Sequence, residues 1–148
     1  MKKKELTIIG AVDKVDLPEF KLLDIGCRVD TGAALCAIHC HHVQLVTKNG
    51  VDNISFKLLD PTHDEYQLRT YTTTHFIEKR VKSSFGNVQY RYAITTPIVI
   101  FGQLIETEIT LADRESMQYP LLIGRNLLRN GFLVNIRKRN LSWKKKQP

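Results

Sequence analysis

Short runs of β-branched and apolar residues, parted by turn signals, limit what this chain can become. Asn49-Gly50 has the residue types of a two-residue hairpin turn, in which both positions take a positive φ. After it Ile54, Phe56 and Leu58 recur with period two, as on a strand with one buried face. Gly102-Gln103 separates the run 97–101 from 104–111, and the stretch 83–87 separates 80–82 from 88–94. Further strands are predicted over 6–20 (one or two, ending near Leu17-Pro18), 22–29, 34–46, 51–59, 68–76, 132–136 and 140–143. The segment 125–130 is the one predicted helix, stopped by Gly131, and 113–117 reads as a connector. Many short strands without intervening helices predict an all-β barrel or sandwich.

No linker, repeat or low-complexity tract divides the 148 residues, so one domain is expected, its core about 6–143 with a basic tail at each end. The formal charge of +7 bears on partners rather than fold. It is concentrated in Lys2-Lys3-Lys4, Arg137-Lys138-Arg139 and Lys144-Lys145-Lys146. Such tails are commonly solvated; they would also attract an acidic peptide, a ribosome or nucleic acid. The basic residues do not interleave with aromatics and no nucleic-acid module is present, so nucleic acid is set aside as partner. No apolar run approaches a membrane helix, so no membrane partner is expected. The N-terminal apolar stretch is too short for a secretory signal, and a cytoplasmic location with free Cys27, Cys36 and Cys40 is expected.

Two stretches carry the chemistry. The apolar run 22–29 delivers Asp30-Thr31-Gly32-Ala33-Ala34, a strand that puts a carboxylate into a tight turn. Alone, the triplet also describes an ordinary β-turn with a solvated Asp. Far downstream, Leu121-Leu122-Ile123-Gly124-Arg125-Asn126 is a second apolar strand that runs into a glycine and a helical turn.

An Asp-Thr-Gly strand followed by an apolar-Gly strand resembles the retropepsin-like aspartic proteases. The chain is similar in particular to the family often called "ATP-dependent zinc protease", a ribosomal-modification-associated protease. Matching stretches are 28–33, Ala37-Ile38-His39, 80–86, 91–94, 111–117 and 122–125, in the family's order, from about Val12 to about Val134. The resemblance implies a closed retropepsin-like β-barrel with one short C-terminal helix. It also implies an apolar-Gly strand supporting the catalytic loop from behind.

An aspartic protease holds two carboxylates around a water with one shared proton, because like charges so close cannot both ionise. One acts as general base, the other as general acid, and the pair titrates as a unit. This chain has a single Asp-Thr-Gly. The resemblance therefore implies a homodimer with one Asp30 from each subunit, Thr31 reaching across the two-fold axis and Gly32 leaving room for substrate. It makes the tip Ser83-Ser84-Phe85-Gly86 a flap over a peptide substrate, Phe85 the apolar contact and Gly86 the hinge. It places Ala33, Ala34, His39 and Arg125 in substrate binding. Family members resemble partners of an enzyme that adds glutamates to a ribosomal protein, which with the +7 charge makes an acidic peptide or glutamate-extended tail the expected substrate. The alternative is a catalytically silent dimer that binds acidic peptide, ribosome or nucleic acid.

Two departures follow. Where viral retropepsins carry an acidic residue paired with the arginine of the Gly-Arg-Asn segment, this chain has Ala34, leaving Arg125 to pair with Asp24 or across a dimer contact. Cys36, His39, Cys40, His41 and His42 are dense in potential ligands, yet strand alternation splits them between two faces and no matched Cys/His pair follows, so no metal is expected. No phosphate-cradling loop is present, and no cofactor is expected.

Overall fold

The computed structural model describes residues 5–59, 61, 63, 66–82, 86–112 and 118–148. Among the described residues eleven strands form: β1 (Thr7–Ile9), β2 (Val12–Leu17), β3 (Leu22–Val29), β4 (Cys36–Lys48), β5 (Val51–Leu58), β6 (Tyr71–Thr73), β7 (Ile77–Lys82), β8 (Val88–Ile100), β9 (Gln103–Ala112), β10 (Leu121–Ile123) and β11 (Phe132–Val134). Helices are α1 (Arg125–Leu128) and α2 (Leu141–Lys146). The all-β class expected from the sequence is the class observed. Asn49 and Gly50 turn β4 into β5, both with positive φ, and Phe101-Gly102 does the same between β8 and β9.

Strand order in the large sheet is β10-β3-β2-β8-β9-β4-β5-β6, with β7 on β8. Because β10 also pairs with β4, six of these strands close into a ring, although β2 and β8 meet at only one register pair, Asp16 with Val99. The ring is thus less regular than the expected closed barrel. β1 and β11 form a separate parallel pair. Inside the ring, Val15, Leu17, Ile25, Ile38, Phe56, Ile98, Ile109 and Leu121 are buried. β10 is the element that positions the site: it lies parallel to β3 and antiparallel to β4, so it locks the two ends of the Asp30 loop together.

Two expectations need correction. The strand predicted over 68–76 shrinks to β6, whose Tyr71 stacks against Phe56 and donates to the Phe20 carbonyl. The strand predicted over 140–143 is instead the start of α2, a second helix. Four residues with two apolar positions satisfy either period, and here a long-range contact decides. The buried carboxylate of Asp13 accepts from Ser142 N at 2.9 Å and Trp143 N at 3.1 Å, satisfying N–H groups that the first turn of a helix leaves open. At the other end Lys146 bridges Asp16 and Asp24, both at 3.0 Å.

Burial also shapes the alkaline limit of stability. Desolvation pushes the Cys36 thiol from 9.0 to about 11, against a weaker lowering by the Gly124 N–H, and burial with the nearby Asp13 carboxylate raises Cys27 further. Above pH 9 the unfolded chain sheds these protons while the native state keeps them, so stability falls as pH rises. Lys146, raised by hydrogen bonds to Asp24 and Asp16, acts in the same direction at higher pH. The melting temperature is expected to drop steadily from pH 9 to about 11. A flat profile over that range would contradict the buried, neutral thiols.

Candidate active site

Asp30 directly follows β3, and its loop is held almost entirely by backbone groups. Asp30 N donates to the Ile123 carbonyl at 2.9 Å, tying the loop to the end of β10. Ala33 N closes a turn onto the Asp30 carbonyl at 3.2 Å, and Gly32 N donates to Asp30 Oδ1 at 3.0 Å. The side chain of an Asp accepting from the residue two positions on fixes its own carboxylate direction. Beyond Gly124, α1 begins and its first N–H groups reach back: Arg125 N to the Ala33 carbonyl at 2.8 Å and Asn126 N to that of Ala34 at 3.0 Å. The apolar-Gly strand does lie behind the loop.

Arg125 finds a partner other than those expected. Its guanidinium donates to the Thr31 carbonyl at 2.9 Å, while Asp24 is occupied by Lys146. Side chain and main chain of one residue thus grip both sides of the Asp30 turn. That is a positioning role, and Arg125 is not among the residues that line the cleft.

The cleft has a volume of about 690 Å3 and places Asp30, Gly32, Ala33 and Ala34 opposite the β7–β8 hairpin. Leu35, Ala37, Thr110 and Leu122 complete its loop side. From the hairpin come Arg80 and Lys82 on one face and Gln89 and Arg91 on the other, a cationic wall bordering the cleft that Asp30 also borders. Thr31 is exposed on the opposite side of the turn, in a second hollow that Asp30 also borders. Ser83, Ser84 and Phe85, expected at the tip of a flap, lie outside the described residues; Gly86 is described, with φ 83°. β7 and β8 pair up to Lys82 with Val88, so the hairpin that would carry that tip is formed.

His39 is not at the cleft. It is 3% exposed, its N–H bonds to the Pro120 carbonyl, and its ring lies 6.3 Å from that of His63. The neighbouring ligand-rich stretch is dispersed in the same way. Cys36 and Cys40 are buried in the core, and His42 is exposed where β4 bulges with φ 54°. His41 Nδ1 is 2.7 Å from the Leu59 carbonyl, and Tyr66 Oη is 3.3 Å from Nε2. Among the described residues no three His, Cys, Asp or Glu side chains converge as a metal site would require.

The cationic wall was missed in the sequence. Its signal was there: Arg80 and Lys82 share one face of a strand next to a predicted flap, and Arg91, across the hairpin in register with Lys79, adds a cation on the other face.

A family model described as "Retropepsin-like aspartic endopeptidase RimB" matches residues 8–145. Curated relatives named "Probable alpha-L-glutamate ligase" come from Shewanella halifaxensis and Desulfotalea psychrophila, 33% and 29% identical over 129 residues. The match covers 86% of this chain but 28% of each relative, so the chain spans little more than a quarter of their length. A solved structure from Legionella pneumophila, of a protein with unknown function, superposes with a TM-score of 0.68 at 21% identity. The overlap covers 92% of this chain and 98% of that one, and shows a shared fold.

Proposed function

Because the chain belongs to the RimB-like family of retropepsin-like aspartic endopeptidases, we propose that it hydrolyses peptide bonds as a homodimer, with one Asp30 from each subunit around a shared water. The observation that carries this reading is Asp30 itself: a carboxylate fixed by its own turn at the edge of a cleft sized for an extended chain. One subunit supplies one such carboxylate, and the mechanism needs two with a single proton between them. Across the two-fold, one Asp30 takes a proton from the water as it attacks the carbonyl carbon. The other holds a proton against the carbonyl oxygen, and the leaving amine is protonated as the C–N bond breaks. The exposed Thr31 would meet its counterpart at the axis, where the Arg125–Thr31 bond stiffens the contact.

The preferred substrate is an acidic peptide or glutamate-extended tail. Arg80, Lys82 and Arg91 supply cations within the cleft itself, a sharper reason than net charge. The naming of the relatives as glutamate ligases points to the same chemistry.

A glutamate-extended peptide incubated with the protein, with its oligomeric state measured by sedimentation, tests the reading. Cleavage by a dimer is expected, with KM rising about three- to tenfold as the ionic strength goes from tens to hundreds of millimolar. Activity in a stable monomer would overturn the shared-aspartate mechanism. A clear dimer that binds acidic peptides and cleaves none would favour the silent binding module. A KM indifferent to salt and to acidic residues would remove the acidic substrate.

A further inference from the structure

Apart from Arg80 and Lys82 on the hairpin wall, several cations around the fold are already engaged. Arg125 holds the Thr31 carbonyl, Lys146 holds Asp16 and Asp24, Arg91 donates to Gln89 and Lys79 pairs with Glu108. Arg28 is different. It lies two residues before Asp30 near the end of β3, exposed, while its neighbours Cys27 and Val29 pack into or against the core. Arg28 and Asp30 border one hollow of about 480 Å3, on the far side of the carboxylate from the hairpin wall, with Gln118, Tyr119 and Leu122 around them. Leu122 and Asp30 line this hollow and the main cleft alike, so the two adjoin at the carboxylate. Arg28 is exposed, and among the described residues its guanidinium engages no hydrogen-bond or ion-pair partner. A second cation stands close by: Arg139 borders the adjoining hollow with Arg28 and donates to Tyr119 Oη at 3.2 Å.

We propose that Arg28 is a specificity-determining residue, whose guanidinium receives the carboxylate side chain of the substrate residue next to the scissile bond. The inference rests on the peptidase reading above and names a subsite within it. An arginine presents two parallel N–H groups in a fixed fork that matches a carboxylate and not the amide of the same shape. Its place two residues before the catalytic group sets the reach: the side chain it reads belongs to the residue at the bond rather than to one farther along. Tyr119, fixed by Arg139, forms the wall against which the aliphatic stem of a glutamate lies. The two-fold that joins the Asp30 carboxylates brings a second Arg28 to the other side of the bond, so an acidic residue on each side is expected.

The test is a set of peptides differing only at the residue beside the cleaved bond, with Glu, Gln, Leu or Lys there. Wild type is expected to prefer Glu over Gln by about 10- to 100-fold in kcat/KM, mostly through KM. Arg28→Leu should bring that ratio within about threefold, Arg28→Lys should keep part of it, and Arg28→Glu should turn the preference towards Lys. Lys145→Gln removes the same unit of charge from α2, in a separate hollow, and should leave the ratio unchanged. A Glu preference above about tenfold surviving in Arg28→Leu would overturn the assignment. So would an equal fall in Lys145→Gln, since that would reflect net charge alone. An equilibrium arm needs no turnover: fluorescence anisotropy of the Glu and Gln peptides with Asp30→Asn and with Asp30→Asn/Arg28→Leu. A Glu-over-Gln binding ratio that disappears with Arg28 upholds the subsite, and a ratio equal in both variants overturns it. Lack of turnover in wild type, by contrast, counts against the peptidase reading alone.

Discussion

Asp30→Asn is expected to lower kcat on an acidic peptide by at least about three orders of magnitude, with the fold and the dimer intact. The substitution is close to isosteric, and the features that place the side chain survive it. The amide oxygen of Asn can still accept from Gly32 N, and the bond from the residue 30 main-chain N–H to the Ile123 carbonyl does not involve the side chain. What disappears is the proton chemistry. In the proposed homodimer one substitution removes both carboxylates, hence both the general base and the general acid, and each alone accounts for about two to four orders of magnitude. The position is only half-buried, so the melting temperature should move by less than about 3 °C. Peptide affinity should stay within about threefold, because the cations proposed to hold an acidic chain belong to β7, β8 and β3. Progress curves, thermal melts, sedimentation and anisotropy separate these claims. Residual turnover above a tenth of wild type would remove Asp30 from the chemistry.

Local patterns along the chain announced the parts of this fold that depend on neighbours in sequence. Asn49-Gly50 set a hairpin because its backbone torsions are a property of two residues. The run before Asp30 became β3 with the expected limits, since eight residues of strand propensity end at a turn that needs no distant partner. Long-range contacts were harder to read. Nothing near 140–143 reveals that Asp13, on the second strand, will cap a helix there. The Thr31 carbonyl as partner of Arg125 was likewise hidden, because side-chain pairing rules look for an acid and a backbone acceptor leaves no mark in the sequence. His39 shows the same limit. The resemblance put it in substrate binding through the pair Ile38-His39; Ala37, two residues earlier on the strand, does border the cleft, but at His39 the strand is covered and the ring is buried.

Gly124→Ala is expected to cost about 3 kcal/mol or more, and with it most of the activity. Backbone torsion is not the reason: φ is −93° and ψ 179°, an extended conformation open to any residue. Space is the reason. A methyl group at residue 124 would come within 2.6 Å of the Leu35 carbonyl carbon and 2.9 Å of the Ala34 carbonyl oxygen. Both are main-chain atoms, so no rotamer change relieves the clash. The loop 33–35 has little freedom to retreat, because Arg125 N and Asn126 N hold the carbonyls of Ala33 and Ala34 while Gly124 N itself donates to Cys36 Sγ at 3.4 Å. Any shift large enough to admit the methyl group breaks those bonds and moves the segment that follows Gly32, so stability and the direction of the Asp30 carboxylate fail together. At about 2–4 °C per kcal/mol for a domain of this size, the melting temperature should fall by about 10 °C. Gly26→Ala provides the comparison, since a methyl group there would meet the Tyr119 ring at 3.6 Å, an ordinary contact. That variant should stay within about 1 kcal/mol of wild type. If the two variants melted alike, close packing of β10 against the loop would not be what holds the site in shape.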